Sequence, residues 1–241
     1  MLNIASYNIH RCIGTDLHCD APRVAAVIRE LDCDTIGLQE VSSRPGPSTD
    51  SMQLEYLAMA TGMTAVAGAT IVKHGGDYGN ALLTRRKILD VKRHDLSFRR
   101  FEPRGALEVD IEVEGEPVCV LVTHLGLRMA ERRFQVRKML EVLRKLPMNQ
   151  SIVVLGDMNE WLPLSRPLRW LHELMGKPKW QRSFPVWMPL FALDRVWVRP
   201  CGSLREFSVH RSALARKASD HFPVKATVVP QAVPLREAKA R

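Results

Sequence analysis

Nowhere do apolar residues run on for the ~18 positions that a membrane-crossing helix needs, which excludes a bundle of spanning helices. The N-terminus has no basic segment followed by a long apolar stretch. Met1-Leu2-Asn3-Ile4 enters a strand-like run at once, so no secretory signal is expected. Cysteine is sparse: Cys12, Cys19, Cys33, Cys119 and Cys201 are odd in number and are nowhere spaced as C-x-x-C. That argues against a disulfide framework and a structural zinc site, and the expectation is reduced thiols in a cytoplasmic protein. No internal repeat and no linker-like stretch divides the chain. Acids are also in short supply, 26 Asp and Glu against 35 Lys and Arg, giving a net charge of +9 and a pI near 9.6. A basic balance favours polyanionic partners (nucleic acid, anionic lipid headgroups, soluble phosphates) without choosing among them.

Hydrophobic residues make up 46% of the 241 positions, enough for a sizeable core. One domain is expected over residues 1–229, followed by a flexible basic tail over 230–241. Short runs rich in Val, Ile and Leu read as strands: Leu2–Tyr7, Thr35–Gln39, Ala81–Thr84, Ala106–Val113, Val118–Thr123, Ile152–Leu155, Val196–Val198 and Val224–Val229. Ile152–Leu155 has no polar alternation and should be buried on both faces. A helix should open at Asp20-Ala21-Pro22, with Val24, Val27, Ile28 and Leu31 on one face. A second spans Ala130–Leu146, with Phe134, Met139, Leu140 and Leu143 inward. Gln53–Thr61 and Leu168–Met175 are further helical stretches, Ser42–Asp50 is a loop, and the Pro- and Trp-rich Leu162–Leu190 reads as an irregular excursion. Strands outnumber helices, and the helices are scattered. That pattern suggests two packed sheets covered by helices.

The informative feature is where the acids, amides and histidines fall. Asn8, Glu40 and His124 each follow a strand run; Asp157 and Asn159 follow Ile152–Gly156; Asp220 and His221 precede the last strand. If those strand ends converge, they form one polar pocket above an apolar core, and buried acids need partners or a metal. Glu40, Asp220 and Asn8 are hard oxygen donors without a cysteine cluster, suited to Mg²⁺ or Mn²⁺. Asp157 and two histidines add acid–base and charge-stabilising groups, which fits hydrolysis of a phosphate ester.

The ordered segments Ser6-Tyr7-Asn8-Ile9-His10, Leu38-Gln39-Glu40-Val41, Tyr78-Gly79-Asn80-Ala81-Leu82-Leu83, Thr123-His124-Leu125, Gly156-Asp157-Met158-Asn159, Leu193-Asp194-Arg195-Val196 and Ser219-Asp220-His221-Phe222-Pro223-Val224 resemble the motifs of the endonuclease/exonuclease/phosphatase superfamily, in its order. The resemblance covers residues 2 to about 228. It implies an α/β fold, a four-layered sandwich with two central mixed β-sheets flanked by helices. It implies a metal-dependent phosphoesterase in which Glu40 is the principal metal ligand, with Asn8 and Asp220 nearby. Asp157 would orient or deprotonate the attacking water, and Asn159 would hold that water or a phosphate oxygen. His221 would stabilise the phosphoryl transition state, oriented by Asp194, and His124 matches a second histidine near the phosphate. Tyr78 and Asn80 fall where family members contact phosphate, and Arg104 is a candidate phosphate clamp.

Each of these residues alone has an ordinary structural reading. Asn8 could be a turn residue, Glu40 a surface carboxylate, Asp157 a turn former, Asp220 a cap, Asp194 the ion-pair partner of Arg195, and Arg104 a sheet-edge charge. It is their joint order that favours a site. Three functions are left open. The first is a nuclease-type phosphodiesterase, favoured by net charge. The second is a phosphodiesterase or phosphatase acting on a phospholipid headgroup or inositol phosphate. The third is an inactive binding module. An exposed apolar rim around the pocket would favour lipid, and a basic groove would favour nucleic acid. No heptad seam or other device speaks to oligomeric state.

Overall fold

Two mixed sheets lie face to face, and each carries helices on its outer side. The structure, a computed structural model, describes residues 1–44, 46, 51–73 and 76–230. From residue 231 on, the expected tail lies outside the described residues, as do positions 45 and 47–50 of the expected loop. In chain order the strands are β1 (Leu2–Asn8), β2 (Thr35–Ser43), β3 (Thr64–Lys73), β4 (Gly76–Thr84), β5 (Ile88–Asp95), β6 (Gly105–Val113), β7 (Glu116–His124), β8 (Ser151–Asp157), β9 (Asp194–Arg199), β10 (Leu204–Val209) and β11 (Val224–Val228). The first sheet runs β10-β11-β1-β2-β4-β3 and the second β5-β6-β7-β8-β9. The pairs β1–β2 and β7–β8 are parallel, and the other pairings are antiparallel.

Helices α1 (Ala21–Leu31), α2 (Gln53–Thr61) and α5 (Ala213–Ala218) cover the first sheet; α3 (Met129–Lys145) and α4 (Arg166–Met175) cover the second. Asp20 caps α1 by accepting from the Arg23 amide at 2.8 Å, with Pro22 in the first turn. Between the sheets lie Leu2 and Ile4 of β1, Leu82 of β4, and the facing side chains of β6 to β9. Four layers result, as the motifs implied. Among the described residues no helix is long and apolar enough to cross a membrane, and none of the five cysteines is in a disulfide.

Every strand run read from the sequence is present, and β8 is buried on both faces. Three strands were not anticipated: β3, β5 and β10. All three are sheet edges, where one side of the ladder is unpaired and polar residues are admitted. Asp90, Lys92, Arg93 and Asp95 break the apolar alternation of β5, most of whose residues are exposed. The short α5 was also missed. Phe134 departs from expectation: it is half-buried against Phe98, at 5.0 Å between ring centroids, while Gln135 and Val136 take the buried positions of α3.

Gly156, near the end of β8, has φ +145°, and a Cβ there would run into the Thr123 carbonyl oxygen of the neighbouring parallel strand. That close approach sets the spacing of the strand ends that carry His124 and Asp157. Gly156→Ala should therefore cost about 3 kcal/mol of stability. Urea unfolding measures it, and a wild-type midpoint would show that the backbone yields freely.

Candidate active site

The two-residue period of the strands delivers the polar side chains to one place. On β1, Leu2 and Ile4 face the second sheet while Ala5 and Tyr7 face the helices, so Asn8 falls on the inter-sheet side. On β7, Val118, Val120 and Val122 face inward and His124 continues their row; on β8, Val153 and Leu155 lead to Asp157; on β9, Asp194 precedes Val196 and Val198. Register pairs His124 with Asp157, and Asp157 with Asp194. The three form a row across one end of the second sheet, directly above the inter-sheet core. His221 comes from the loop before β11. Ser219 anchors that loop, donating its hydroxyl to the Asn8 carbonyl at 2.7 Å and accepting from the His221 amide at 3.3 Å.

Glu40 reaches the site differently. Ile36 and Leu38 face the helices, and simple alternation would send Glu40 the same way. Instead the β2–β4 register shifts between Leu38 and Val41, Glu40 takes φ +59°, and Val41 resumes the outer row. This bulge turns the carboxylate inward. Asn8 Nδ2 then donates to Glu40 Oε1 and to Asp157 Oδ2, both at 3.1 Å, while Asn8 Oδ1 accepts from the His10 amide. Asn159 is a second residue held at positive φ (+48°); its amide donates to Asp157 Oδ1 at 2.8 Å and its Nδ2 to the Leu125 carbonyl at 2.8 Å.

Two histidines flank Asp157 in opposite charge states. His221 Nδ1 donates to Asp194 Oδ2 at 2.8 Å, and its Nε2 lies 3.7 Å from Asp157 Oδ2. Burial opposes charge on this ring, but Asp194 and Asp157 outweigh it and push its pKa up to about 10. His124 Nδ1 lies 3.0 Å from Arg104 Nη1, and its Nε2 lies 3.0 Å from Asn159 Nδ2 and 3.5 Å from Asp157 Oδ2. Burial, then Arg104 and His221, hold His124 well below the ordinary histidine range, so it is neutral. Both neighbours, the Arg104 guanidinium and the Asn159 amide nitrogen, only donate, and a neutral ring accepts from one of them while its other nitrogen carries the proton. Burial raises the Asp157 carboxyl to about 6, against the nearby His221 charge, with Asp194 adding to the rise.

The remaining candidates sit around this centre. Asp220 is half-buried next to Ser219, its Oδ1 3.8 Å from His10 Nδ1. Arg104 is buried and also pairs with Glu102 at 3.1 Å. Asn80 Nδ2 bridges the sheets to the Gly105 carbonyl at 2.9 Å. Tyr78 lies beneath the Arg11 guanidinium, 5.1 Å from the ring centroid; burial, with Glu40 and Glu102, raises its phenol to about 12, so it stays protonated. Two contributors escaped sequence reasoning. Ser183 donates to Asp194 Oδ2 at 2.6 Å, and the Phe184 ring lies 4.5 Å from the His221 ring. Both belong to the Pro- and Trp-rich excursion, where no periodicity marks them.

Asp157, Asp194 and His221 offer ligand atoms within 4.8 Å of one another and could hold a metal. In that trio, however, the protonated His221 already bonds Asp194, and an imidazolium has no lone pair to give. Glu40 and Asp220 carry oxygen donors suited to a hard divalent cation, while Asn8 turns its Nδ2 toward Glu40 and its Oδ1 toward the His10 amide. The donor chemistry fits such an ion: four carboxylates (Glu40, Asp157, Asp194 and Asp220) bring negative charge to the site, and the His221 imidazolium balances only part of it.

The sequence pattern of the Endonuclease/Exonuclease/phosphatase family matches residues 5–221. The chain belongs to that family and is a phosphoester hydrolase. It is similar to the Escherichia coli K12 protein YbhP, with 30% identity over 224 residues that cover 86% of this chain and 87% of YbhP. Among solved structures, the fold is shared with the mannosyl-6-phosphatase Bt3783 of Bacteroides thetaiotaomicron (TM-score 0.73, 19% identity, covering 95% of this chain and 100% of that one). It is shared equally with D. rerio TDP2 complexed with single strand DNA product (TM-score 0.70, 17% identity, 93% and 97%).

The opposite states of the two rings can be read directly. In metal-free protein at about pH 8, imidazole nitrogen NMR should show His221 doubly protonated and His124 neutral. A neutral His221 at that pH would dismiss the Asp194 pairing as its controlling interaction.

Proposed function

We propose that the protein hydrolyses a phosphodiester with Mg²⁺ or Mn²⁺, using Asp157 to position and deprotonate the attacking water. The observation that carries this reading is the position of Asp157: buried, fixed by Asn8 and the Asn159 amide, and flanked by an imidazolium. With its carboxyl raised to about 6, Asp157 is ionised near neutrality yet basic enough to take a proton. Asn159 stands beside it to hold the water or a phosphate oxygen. His221 points Nε2 into the same space and, held charged by Asp194, donates to the phosphoryl oxygens as charge builds there. Neutral His124 lines the other side of Asp157, braced by Arg104 and Asn159. Glu40 is the principal metal ligand in this reading, with Asn8 and Asp220 beside it. A bound divalent cation would supply charge neutralisation at the phosphoryl group. Tyr78, Asn80 and Arg104 would meet the substrate's phosphate or its flanks, Arg104 through N–H groups left over from its pairs with His124 and Glu102.

A nucleic-acid substrate is supported by the +9 charge and by the likeness in fold to TDP2, which is complexed with single strand DNA product. A lipid or inositol-phosphate ester is supported by the apolar side chains exposed on the segments that join the site end of the second sheet. An inactive binding role is disfavoured because every chemical group of the site is present and aligned.

Asp157→Asn and His221→Ala should each lower kcat about a thousandfold while leaving the fold intact. EDTA should abolish turnover. The assay is a panel of single- and double-stranded DNA, RNA, phospholipids and inositol phosphates with Mg²⁺ or Mn²⁺. Near-normal rates in either variant, or activity that survives EDTA, would sink this mechanism. Glu40→Gln should raise the Mg²⁺ needed for half-activation at least about tenfold; an unchanged metal titration removes Glu40 from the ligand set.

A further inference from the structure

Three chain segments leave the second sheet at the edge that carries His124, Asp157 and Asp194. Strands β7 and β8 are parallel and end there, while β9, antiparallel to β8, begins there. The first segment carries Leu127 and Met129, 67% and 51% exposed. The second carries Leu162 and Leu164, 64% and 82% exposed, directly after the half-exposed Trp161. The third carries Trp187, Met188 and Leu190, 70%, 47% and 45% exposed. Among the described residues, half of the large apolar side chains that are exposed lie on these three segments, at the end of the sheet that carries the reacting groups.

These loops are also built into the site. Trp161 packs against Phe184 and Phe191, at 5.8 and 4.7 Å between ring centroids, and Phe184 lies on His221. The Val186 amide donates to the Asp220 carbonyl at 3.0 Å, and Phe222 donates to Ser183 at 2.9 Å. A buried Arg132–Glu160 pair, with Arg132 also bonding the Leu127 carbonyl, ties the first segment to the second. The tips are therefore held at a fixed position relative to the reacting groups.

Charge discriminates among possible occupants. Residues 125–130, 161–169 and 181–193 contain no Asp or Glu, and the exposed charges on them are Arg128, Arg166, Arg169 and Arg182. Bare aliphatic and indole groups on segments whose own exposed charges are all cationic match an anionic bilayer surface. There, Trp and Leu enter the headgroup and acyl boundary and Arg meets lipid phosphates. Nucleic acid would use the cations, but Leu162 and Leu164 have no face on which a base stacks.

We infer that this rim docks the protein on an anionic membrane surface and presents the site to phosphodiester headgroups of lipids in that surface. The headgroup part rests on the phosphodiesterase reading above; the docking part stands on the rim alone. The test is co-sedimentation with phosphatidylglycerol-containing vesicles against phosphatidylcholine vesicles. The proteins compared are wild type, Asp157→Asn, the double variant Leu162→Ser/Trp187→Ser, and Leu89→Ser, which alters an exposed apolar residue on edge strand β5. Wild type, Asp157→Asn and Leu89→Ser should bind anionic vesicles, more weakly as salt rises. The double variant should bind at least about tenfold more weakly. It should still cleave a soluble aryl phosphodiester within about twofold of the wild-type rate, and lose hydrolysis of bilayer phospholipid. The docking inference is overturned if wild type ignores anionic vesicles, if the double variant binds them equally well, or if its loss is instead in binding a single-stranded oligonucleotide. Vesicle binding by a wild-type protein that hydrolyses no ester would overturn the catalytic reading and leave docking in place.

Discussion

A single amide, that of Asn8, holds two carboxylates from different parts of the fold in one place. It donates to Glu40, which a bulge on the adjacent strand turns inward, and to Asp157, which belongs to the opposite sheet. Like charges do not approach without such a bridge or a cation. The bridge works only because the sheets meet closely beneath it. A Cβ on Gly37, in β2, would strike the Leu155 side chain of β8, two residues before Asp157. The apolar layer between the sheets thus sets the height at which the polar row sits, and the site is the open end of that layer rather than an appendage to it.

Above this constraint, the order of charges follows from hydrogen bonding. Asp194 is fully buried, accepts from Ser183 and His221 on one oxygen, and leaves Oδ1 without a partner. Such an arrangement favours a positive ring beside it, and His221 is that ring. Across Asp157, burial and then the guanidinium of Arg104 make a second positive ring unfavourable, and His124 stays neutral. The site therefore places a proton donor and a fixed neutral imidazole on opposite sides of one carboxylate, without any single residue being unusual in itself.

How much of this could be read from the chain depended on burial. Strands covered on both sides, such as Ile152–Leu155, announce themselves because nothing polar is tolerated there. Strands β3, β5 and β10 do not, because an edge accepts charge and small residues, and the apolar alternation is lost. The same contrast holds at the site. Asn8, His124, Asp157 and Asp194 continue the inward rows of their strands, so alternation alone aims them correctly. Glu40 defies alternation, and only its place in an ordered set of motifs marked it; the backbone turn that delivers it has no sequence signature. Ser183 and Phe184 were invisible because they act from a stretch whose shape is set by tertiary contacts to the Asp220–Phe222 segment.

That stretch is where substrate choice must be sought. The reacting groups come from strand ends whose geometry the two sheets impose, and a DNA-bound protein and a sugar phosphatase share the fold equally. A fold that is common to such different proteins carries little information about which ester this chain meets. The segments following β7 and β8 and preceding β9 are free of that constraint, since their residues need only keep Phe184 against His221 and Val186 against Asp220. Within that allowance these segments expose Leu, Met and Trp, and Glu160, the acid after β8, is buried against Arg132. Soluble anions would need the arginines alone. The apolar tips gain nothing from a substrate in water and gain substantially from one embedded in a bilayer, and this is the physical ground on which the proposed membrane docking departs from what net charge alone suggests.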